Sequence, residues 1–300
     1  MLKDRYIEYL RFEKRYSAHT TLAYQTDLED FSGFLSLQYN ITDLLLVDHS
    51  IVRSWLISLI NLKISPRSVN RKLSSLKSFY RYCQKMGLLK DNPMLKVAAL
   101  RVSKQLPVFL TRDNLEKLLR TVDFDKDYEG CRDKMILTLF YATGIRRAEL
   151  LQITISDIDV EAGTLKVCGK RNKDRIVPLG KNVTELLDEY LIYRKKFLEE
   201  PGSSREQGSL SLFLTSKGLP VYPRLIYNIV HKYLSLVASN NKLSPHVLRH
   251  SFATHMLDDG ADLNAIKEIL GHSSLAATQV YTHNTIEKLK TIYKLAHPRA

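Results

Sequence analysis

A change in apolar spacing divides the 300-residue sequence into two parts. Up to about residue 95, apolar side chains recur every three or four residues, which is the period of an α-helix. Between residues 158 and 179 they alternate as they do in β-strands. The stop signal Asp91-Asn92-Pro93 lies between the two patterns. The sequence therefore predicts two domains, and its length is sufficient for two separate cores.

We predict a mainly α-helical fold with a small antiparallel β-sheet in the C-terminal domain. The predicted parts are an N-terminal helical domain over 1–95, a basic linker over 96–108 and a C-terminal domain over 109–300. Helices are predicted after Ser17, over 51–60, from Ser65-Pro66, over 112–121, 130–143 and 182–199, and from about 223, 245, 262 and 274. Strands are predicted over 158–160, 164–168, 175–179 and 212–214. The amphipathic segment 284–300 predicts a C-terminal tail helix.

The helix predicted from Ser65-Pro66 combines one apolar face with one basic face. Serine is a favoured N-cap, and proline is favoured at the first helical position. The residues predicted to be buried are Val69, Leu73, Leu76, Tyr80 and Cys83. Cations dominate the other side and continue into the linker, and the DNA-binding candidates are Arg67, Arg71, Lys77, Arg81, Lys85, Arg101 and Lys104. Such a face can solvate a surface helix or lie against DNA phosphates.

The overall charge favours binding to a polyanion. The chain has 45 Lys and Arg against 32 Asp and Glu, a formal net charge of +13. Residues 61–105 alone contain eleven basic residues and one acidic residue, so the charge is concentrated in a patch. A nucleic acid is the partner that this pattern favours. Three scattered cysteines and the lack of a long apolar run predict a cytoplasmic protein without membrane attachment. With a nucleic acid as its partner, we expect it to be nucleoid-associated.

The densest concentration of reactive side chains lies between Ser244 and His283. His246 and Arg249 are three residues apart and share one face of a predicted helix. Arginine offers a planar fork of donors for phosphate oxygens, histidine can move a proton near neutral pH, and tyrosine can act as a nucleophile. Together with Tyr281 they suggest attack on a phosphodiester. A zinc site is the weaker alternative, although His246 and His250 have suitable spacing.

Five ordered motifs resemble the tyrosine recombinases, the phage integrase family, and in particular its Xer branch. They are Thr-Gly-Ile-Arg146-Arg-Ala-Glu-Leu, Gly-Lys170-Arg-Asn-Lys-Asp-Arg-Ile-Val-Pro-Leu, Pro-His246-Val-Leu-Arg249-His, Leu-Gly-His272 and Tyr281-Thr-His. The match spans the chain, and residues 17–35 and 65–93 resemble the core-binding helices of that branch. The sequence departs from the usual pattern at three places, namely the pair Arg147-Ala148, Arg171 and Ala277. Arg147 leaves two adjacent arginines competing for the first catalytic position, and the motif register favours Arg146.

The resemblance implies a two-domain, C-shaped DNA clamp and a set of catalytic residues. The implied catalytic residues are Arg146, Lys170, His246, Arg249, His272 and Tyr281. Tyr281 would form a 3′-phosphotyrosine bond to DNA, and Lys170 would protonate the departing 5′-oxygen. No metal or other cofactor is implied. The tail helix would pack into a neighbouring subunit of a tetramer on two DNA sites.

The resemblance leaves several biological roles and two other functions open. Chromosome dimer resolution, with its link to cell division, element integration or excision, and DNA inversion all fit, with or without a paralogous recombinase or an activator. A type IB topoisomerase would share the chemistry but need only one DNA. A non-catalytic DNA-binding architectural protein would retain only the basic surfaces.

Overall fold

The computed structural model describes residues 2–102, 109–169, 173–199, 210–238 and 243–271, without the side chain of Leu263. The chain divides into two compact units, Met1–Gln105 and Leu106–Ala300. The first unit is helical and the second combines helices with one small sheet, so the predicted fold class is confirmed. No helix within these described ranges has the length and apolar content needed to cross a membrane.

The described residues of the first unit form four α-helices. They are α1 (Leu2–Glu8), which continues into a π-helical turn (Tyr9–Glu13), α2 (Ala18–Tyr39), α3 (His49–Asn61) and α4 (Pro66–Lys85). The side chains of Ser17, Asp48 and Ser65 each accept a backbone N–H in the first turn of the helix that follows. These caps satisfy donors that a helix N-terminus leaves unpaired, which explains why α2, α3 and α4 begin where they do.

One face of α4 lies in the core of the first unit. The five predicted apolar residues on this face are all buried, and they are Val69, Leu73, Leu76, Tyr80 and Cys83. Trp55 of α3 packs against Phe31 of α2 with ring centroids 4.8 Å apart. The alternation of apolar and basic positions therefore determines which side of α4 faces inward.

A buried carboxylate joins α2 to the basic helix α4. Asp27 is fully buried and accepts from Arg71 Nη1 at 2.6 Å, from Ser75 Oγ at 2.7 Å and from Lys72 Nζ at 3.2 Å. Lys72 also pairs with Asp30. Lys72 is therefore not a surface cation, although it belongs to the predicted basic patch. Arg71 remains half exposed, yet part of its charge is used inside the unit.

The chain after α4 stays packed on the first unit as far as Leu100. A 3-10 turn covers Pro93–Lys96, and the following Val97 is buried. Asn70 of α4 holds Leu100 by two hydrogen bonds of 2.8 Å, one to its N–H and one to its carbonyl. An amide side chain that pairs both backbone groups fixes the direction of the chain at that point.

The second unit has seven α-helices and three strands in its described residues. They are α5 (Arg112–Arg120), α6 (Tyr128–Thr143), α7 (Arg147–Leu150), β1 (Ile158–Asp159), β2 (Thr164–Cys168), β3 (Asp174–Pro178), α8 (Lys181–Glu199), α9 (Pro223–Leu234), α10 (Pro245–Asp258) and α11 (Leu263–Leu270). The strands form an antiparallel sheet in the order β1-β2-β3. Residues 212–214 do not join it, so the strand predicted there is wrong. Two isolated bridges, Thr154 to Ser211 and Leu214 to Pro220, replace it.

Helix α6 lies in the core of the second unit and ends at Gly144. Nearly all of its residues are buried. Gly144 has a left-handed φ of +60°, and a Cβ at this position would lie 2.6 Å from side-chain atoms of both Phe252 and Leu270. Glycine is therefore required for the backbone conformation and for the close approach of α10 and α11.

Candidate active site

Arg146 lies at the turn between α6 and α7, two residues after the Gly144 cap. Its backbone is extended, and its N–H donates to Glu149 Oε2 at 2.8 Å. Its guanidinium donates from Nη1 to Glu149 Oε1 at 2.7 Å and from Nη2 to the Gly271 carbonyl at 3.1 Å. The side chain keeps 27% of its surface exposed. Glu149 and the Gly271 carbonyl thus hold both the backbone and the guanidinium of Arg146, while part of the guanidinium faces solvent.

Glu149 is buried between two arginines. Arg175 of β3 donates to its Oε1 at 3.1 Å from Nη1 and to its Oε2 at 2.8 Å from Nη2. Burial of the Glu149 carboxyl would raise its pKa, but the hydrogen bonds and charges of Arg175 and Arg146 outweigh burial and lower the pKa below its ordinary value. Glu149 therefore remains an acceptor and fixes both guanidinium groups.

Arg249 of α10 is the most deeply placed of the predicted phosphate ligands that the structure describes, with 9% of its surface exposed. Its Nη1 donates to the Gly144 carbonyl, and its Nη2 donates to the Leu270 carbonyl at 2.8 Å. Burial and the neighbouring charge of Arg146 lower the pKa of Arg249 to about 10. The guanidinium remains charged at neutral pH, and its position is fixed by two separate backbone segments.

The C-terminal end of α11 brings three arginines from three elements together. Arg175, Arg249 and Arg146 donate to the carbonyls of Ile269, Leu270 and Gly271, three consecutive residues. The last carbonyls of a helix carry partial negative charge, which explains why cations gather at this position. The predicted catalytic residue His272 follows these residues in the sequence.

His246 is exposed at the start of α10, near the same arginines. Partial burial and the positive charges of Arg147, Arg249 and Arg146 lower the pKa of His246 below its ordinary value. A lower pKa favours the neutral imidazole at pH 7, which has one nitrogen that accepts a proton and one that donates a hydrogen bond. The described residues thus bring together Arg146, Arg249 and His246.

Half of the predicted catalytic set lies outside the described residues. The predicted residues that the structure does not describe are Lys170, His272 and Tyr281, together with the DNA-binding candidate Lys104 and the tail helix 284–300. The same holds for the departures Arg171 and Ala277. Arg147, the rival for the first catalytic position, is exposed in the first turn of α7.

His255 is buried and has local partners that account for its position. Its Nδ1 lies 3.1 Å from the Tyr141 hydroxyl, and its ring packs edge-on to Phe109. Within the described ranges, no group of three or more His, Cys, Asp and Glu residues is arranged to hold a metal ion. From the sequence, the residues expected on the buried face of α10 are Val247, Leu248, Phe252 and Leu257. Leu257 is instead 43% exposed, and Met256 is buried in its place.

The basic face of α4 carries cations at helical spacing. Arg67, Arg71, Arg81 and Lys85 are exposed, as is Arg101 beyond the helix, and Lys77 is partly exposed. Lys85 also lies 5.5 Å from the ring centroid of Tyr9. Because residues 67, 71, 74, 78, 81 and 85 follow one another at steps of three or four, they form one stripe. Arg71 differs from the rest through its ion pair with Asp27.

Arg175 was not among the predicted site residues. It lies in a strand whose inward positions are otherwise apolar, with buried Val177 two residues later. An arginine at an inward strand position needs an acid or carbonyl partner inside the protein. That pattern in the sequence was the available signal, but it could not identify Glu149 as the partner.

Comparison with known proteins identifies the family. Residues 108–288 match the model described as "Phage integrase family", and residues 4–87 match "Phage integrase, N-terminal SAM-like domain". The chain is 37% identical to a tyrosine recombinase XerC of Chlorobaculum parvum, over 98% of this chain and 94% of that protein. It is 39% identical to a tyrosine recombinase XerC of Oceanobacillus iheyensis, over 99% and 96% of the two chains.

A solved structure agrees with these relatives. A crystal structure of XerH site-specific recombinase, bound to difH substrate in a pre-cleavage complex, matches with a TM-score of 0.68 and 26% identity. The match covers 97% of this chain and 83% of that chain. The chain belongs to the phage integrase family of tyrosine recombinases, in its Xer-like branch.

Proposed function

We propose that this enzyme cuts and rejoins DNA at specific sites through a covalent 3′-phosphotyrosine intermediate and a Holliday junction. The observation that carries the proposal is the convergence of Arg146, Arg249 and His246 at the end of α11. Both arginines are anchored by backbone carbonyls, and they are charged donors of the kind that phosphate oxygens require. The motifs that contain His272 and Tyr281 follow this point in the sequence.

The two arginines suit a phosphate whose charge increases during the reaction. Attack on a phosphodiester gives a five-coordinate phosphorus, with additional negative charge on the non-bridging oxygens. Donors already oriented by Glu149, Gly144 and Leu270 need little reorganisation to stabilise that charge. Arg146 and Arg249 are therefore assigned to the two non-bridging oxygens.

The remaining roles complete a balanced transfer. The Tyr281 hydroxyl passes its proton to a base, the role assigned to the neutral His246, and its oxygen forms a bond to phosphorus. The bond between phosphorus and the 5′-oxygen breaks, and Lys170 gives a proton to the departing oxygen. His246 takes part in proton transfer, and His272 orients a phosphate oxygen or Tyr281. A 5′-hydroxyl from a partner duplex reverses the step, because the phosphotyrosine bond retains the energy of the bond that was broken.

Double-stranded DNA is the proposed substrate and the stripe on α4 one of its binding surfaces. The related XerH structure is a complex with its difH substrate. In this chain the exposed Arg67, Arg81 and Lys85 lie on the side of α4 that faces away from its core. Residues 1–95 would thus form a core-binding domain and residues 109–300 the catalytic domain, joined by the linker 96–108.

The proposed enzyme acts as an assembly of several subunits. The tail 284–300 is expected to join subunits into a homo- or hetero-tetramer on two DNA sites, with a paralogous recombinase or an activator as further partners. A cytoplasmic, nucleoid-associated location follows from DNA as substrate. Chromosome dimer resolution is the first role to test, and mobile-element integration or inversion are the others.

An adduct and exchange assay tests the proposed function. Sheared genomic DNA from the source cell is incubated with the protein, and the fragments bound covalently to it are sequenced to find its site. Two labelled duplexes that carry this site are then expected to exchange strands. Relaxation of a supercoiled plasmid without any exchange between two sites would favour a topoisomerase instead. Binding without a covalent adduct would favour an architectural protein.

Neutralising Arg67 and Arg81 together is expected to weaken DNA binding and reduce its salt dependence. Each lost phosphate contact makes the slope of log K against log salt shallower by about 1. The measurement is a fluorescence titration of the recovered site at several salt concentrations. Arg71 is a poorer choice, because its removal also takes a partner from the buried Asp27.

Arg81→Lys is the matched control for that experiment. It keeps the positive charge at the same position and should therefore keep the salt slope. Thermal melting of each variant checks that the first unit remains folded. An unchanged slope in the Arg67→Ala/Arg81→Ala variant would remove this stripe from the DNA interface.

A further inference from the structure

Arg175 is a buried arginine that contacts two parts of the candidate active site at once. It has 4% of its surface exposed and lies opposite Val167 in the sheet. One edge of its guanidinium holds both oxygens of Glu149. Its Nε donates to the Ile269 carbonyl at 2.7 Å. A single rigid group therefore connects the acid that holds Arg146 with the last turn of α11.

The backbone around Arg175 is fitted closely to its side chain. A Cβ at Gly271 would lie 3.2 Å from Arg175 Nη1, and Gly271 has a left-handed φ of +63°. The Gly271 carbonyl in turn accepts from Arg146 Nη2. Glu149, Arg146, Gly271 and Arg175 thus form a closed ring of contacts, in which moving one member shifts the others.

On the basis of the proposed function, we propose that Arg175 is a positioning residue for DNA cleavage. It keeps Glu149 in the place where that carboxylate orients Arg146, and it fixes the chain just before His272. Arg175 itself contacts neither DNA nor the reacting atoms in this assignment. Arg175 contributes by keeping the guanidinium of Arg146 at a fixed distance from the backbone that leads to His272 and Tyr281.

Removal of the guanidinium would release both contacts together. Of its two described arginine partners, Glu149 would then retain one, Arg146. Its carboxylate could rotate into the space left by the Arg175 guanidinium. The Ile269 carbonyl would lose a charged donor. Lysine at this position offers one point of charge, so it can pair with Glu149 or with the carbonyl but cannot reproduce the fork.

A second buried arginine of the same unit provides a matched control. Arg194 of α8 is 5% exposed and donates from Nε to the Leu212 carbonyl at 3.1 Å and from Nη2 to the Ser211 carbonyl at 2.8 Å. It resembles Arg175 in burial and in bonding to backbone carbonyls, but it has no described contact with Arg146, Arg249 or Glu149. Its loss therefore measures the effect of removing a buried arginine that lies outside the described contacts of Arg146, Arg249 and Glu149.

The experiment compares cleavage with binding in the full-length protein. Single-turnover adduct formation on a nicked target duplex is measured at saturating DNA, well below the melting temperature of every variant. Binding affinity is measured in a Tyr281→Phe background, so that cleavage does not disturb it. The variants are Arg175→Gln, Arg175→Lys, Arg194→Gln and Glu149→Gln, and the double variant Arg175→Gln/Glu149→Gln. The lysine variant serves if Arg175→Gln does not fold.

We expect Arg175→Gln to slow adduct formation by about 10- to 100-fold, by analogy with the loss of a group that orients a metal ligand in other enzymes. Affinity for DNA should stay within about threefold, Arg175→Lys should recover part of the rate, and Arg194→Gln should lower the melting temperature without slowing cleavage. The double variant should be about as slow as the slower single variant, because both changes break one connection.

Three results would overturn the assignment. They are a wild-type cleavage rate in Arg175→Gln and Arg175→Lys, an equal loss of rate in Arg194→Gln, or strictly multiplicative losses in the double variant. Absence of any adduct with the wild-type protein is a different outcome, because it would overturn the proposed function itself.

Discussion

Replacing Tyr281 by Phe is expected to abolish the covalent protein–DNA adduct while DNA binding persists. Phenylalanine keeps the ring and removes only the oxygen that would bond to phosphorus, so the change is small in volume. A phenol with an ordinary pKa of about 10 is only about one-thousandth ionised at pH 7. The reaction therefore depends on charged neighbours such as Arg146 and Arg249, but they cannot act without the oxygen.

A nicked duplex makes this measurement sharp. The short strand that carries the released 5′-hydroxyl, between the cleaved phosphate and the nick, diffuses away after attack, so the adduct accumulates and is counted on a denaturing gel. Tyr193→Phe is the matched control, since Tyr193 is a partly exposed tyrosine of α8 beside a cleft whose described lining residues include none of the predicted catalytic residues. It should form the adduct normally. An adduct that survives Tyr281→Phe would identify another nucleophile.

Replacing Arg146 by Ala is expected to slow adduct formation by about 10²- to 10³-fold. Loss of one oriented donor at a developing negative charge costs about 2.7–4 kcal/mol in other enzymes. Arg146 meets the requirement for such a donor, because Glu149 and the Gly271 carbonyl fix its guanidinium before DNA binds. Single-turnover rates on the nicked duplex measure the effect.

Arg147→Ala distinguishes between the two adjacent arginines. Arg147 is exposed and contributes to the low pKa of His246, so its removal should raise the pKa of His246 towards the ordinary value. The protonated imidazole would then persist to higher pH, which an NMR titration of His246 detects. Adduct formation at pH 8, where His246 is neutral in either case, should change little. A larger loss of rate in Arg147→Ala than in Arg146→Ala would reverse the assignment.

Local signals predicted the helices and the sheet well, because their causes are local. Ser65-Pro66 begins α4, Gly144 ends α6, and alternating apolar residues form β2 and β3. The failures have a common cause in long-range contacts. The strand predicted at 212–214 has only isolated bridges. Lys72 turned inward because Asp27, on another helix, lies opposite it.

The candidate site also combines residues that local motifs predict with contacts that only the folded unit creates. The motifs marked Arg146, His246 and Arg249, whose spacing along the chain is sufficient to recognise them. The motifs could not reveal that Arg175 of β3 shares Glu149 with Arg146, since the two arginines are far apart in the sequence and meet only in the folded unit. Contacts of this kind depend on the packing of a sheet against helices rather than on a local pattern.

The three carbonyls at the end of α11 also have a consequence for selection on this protein. Immobilising a long side chain costs about 0.5–1.5 kcal/mol, and Arg146 and Arg249 have already met that cost on folding. DNA binding therefore does not include this free-energy cost. The cost instead lowers the folding stability of the second unit. Mutations that raise the folding stability of the rest of this unit would allow the site to tolerate more substitutions. A unit of marginal stability would instead be expected to keep glycine at positions 144 and 271, where φ is left-handed and a Cβ would lie close to neighbouring side chains.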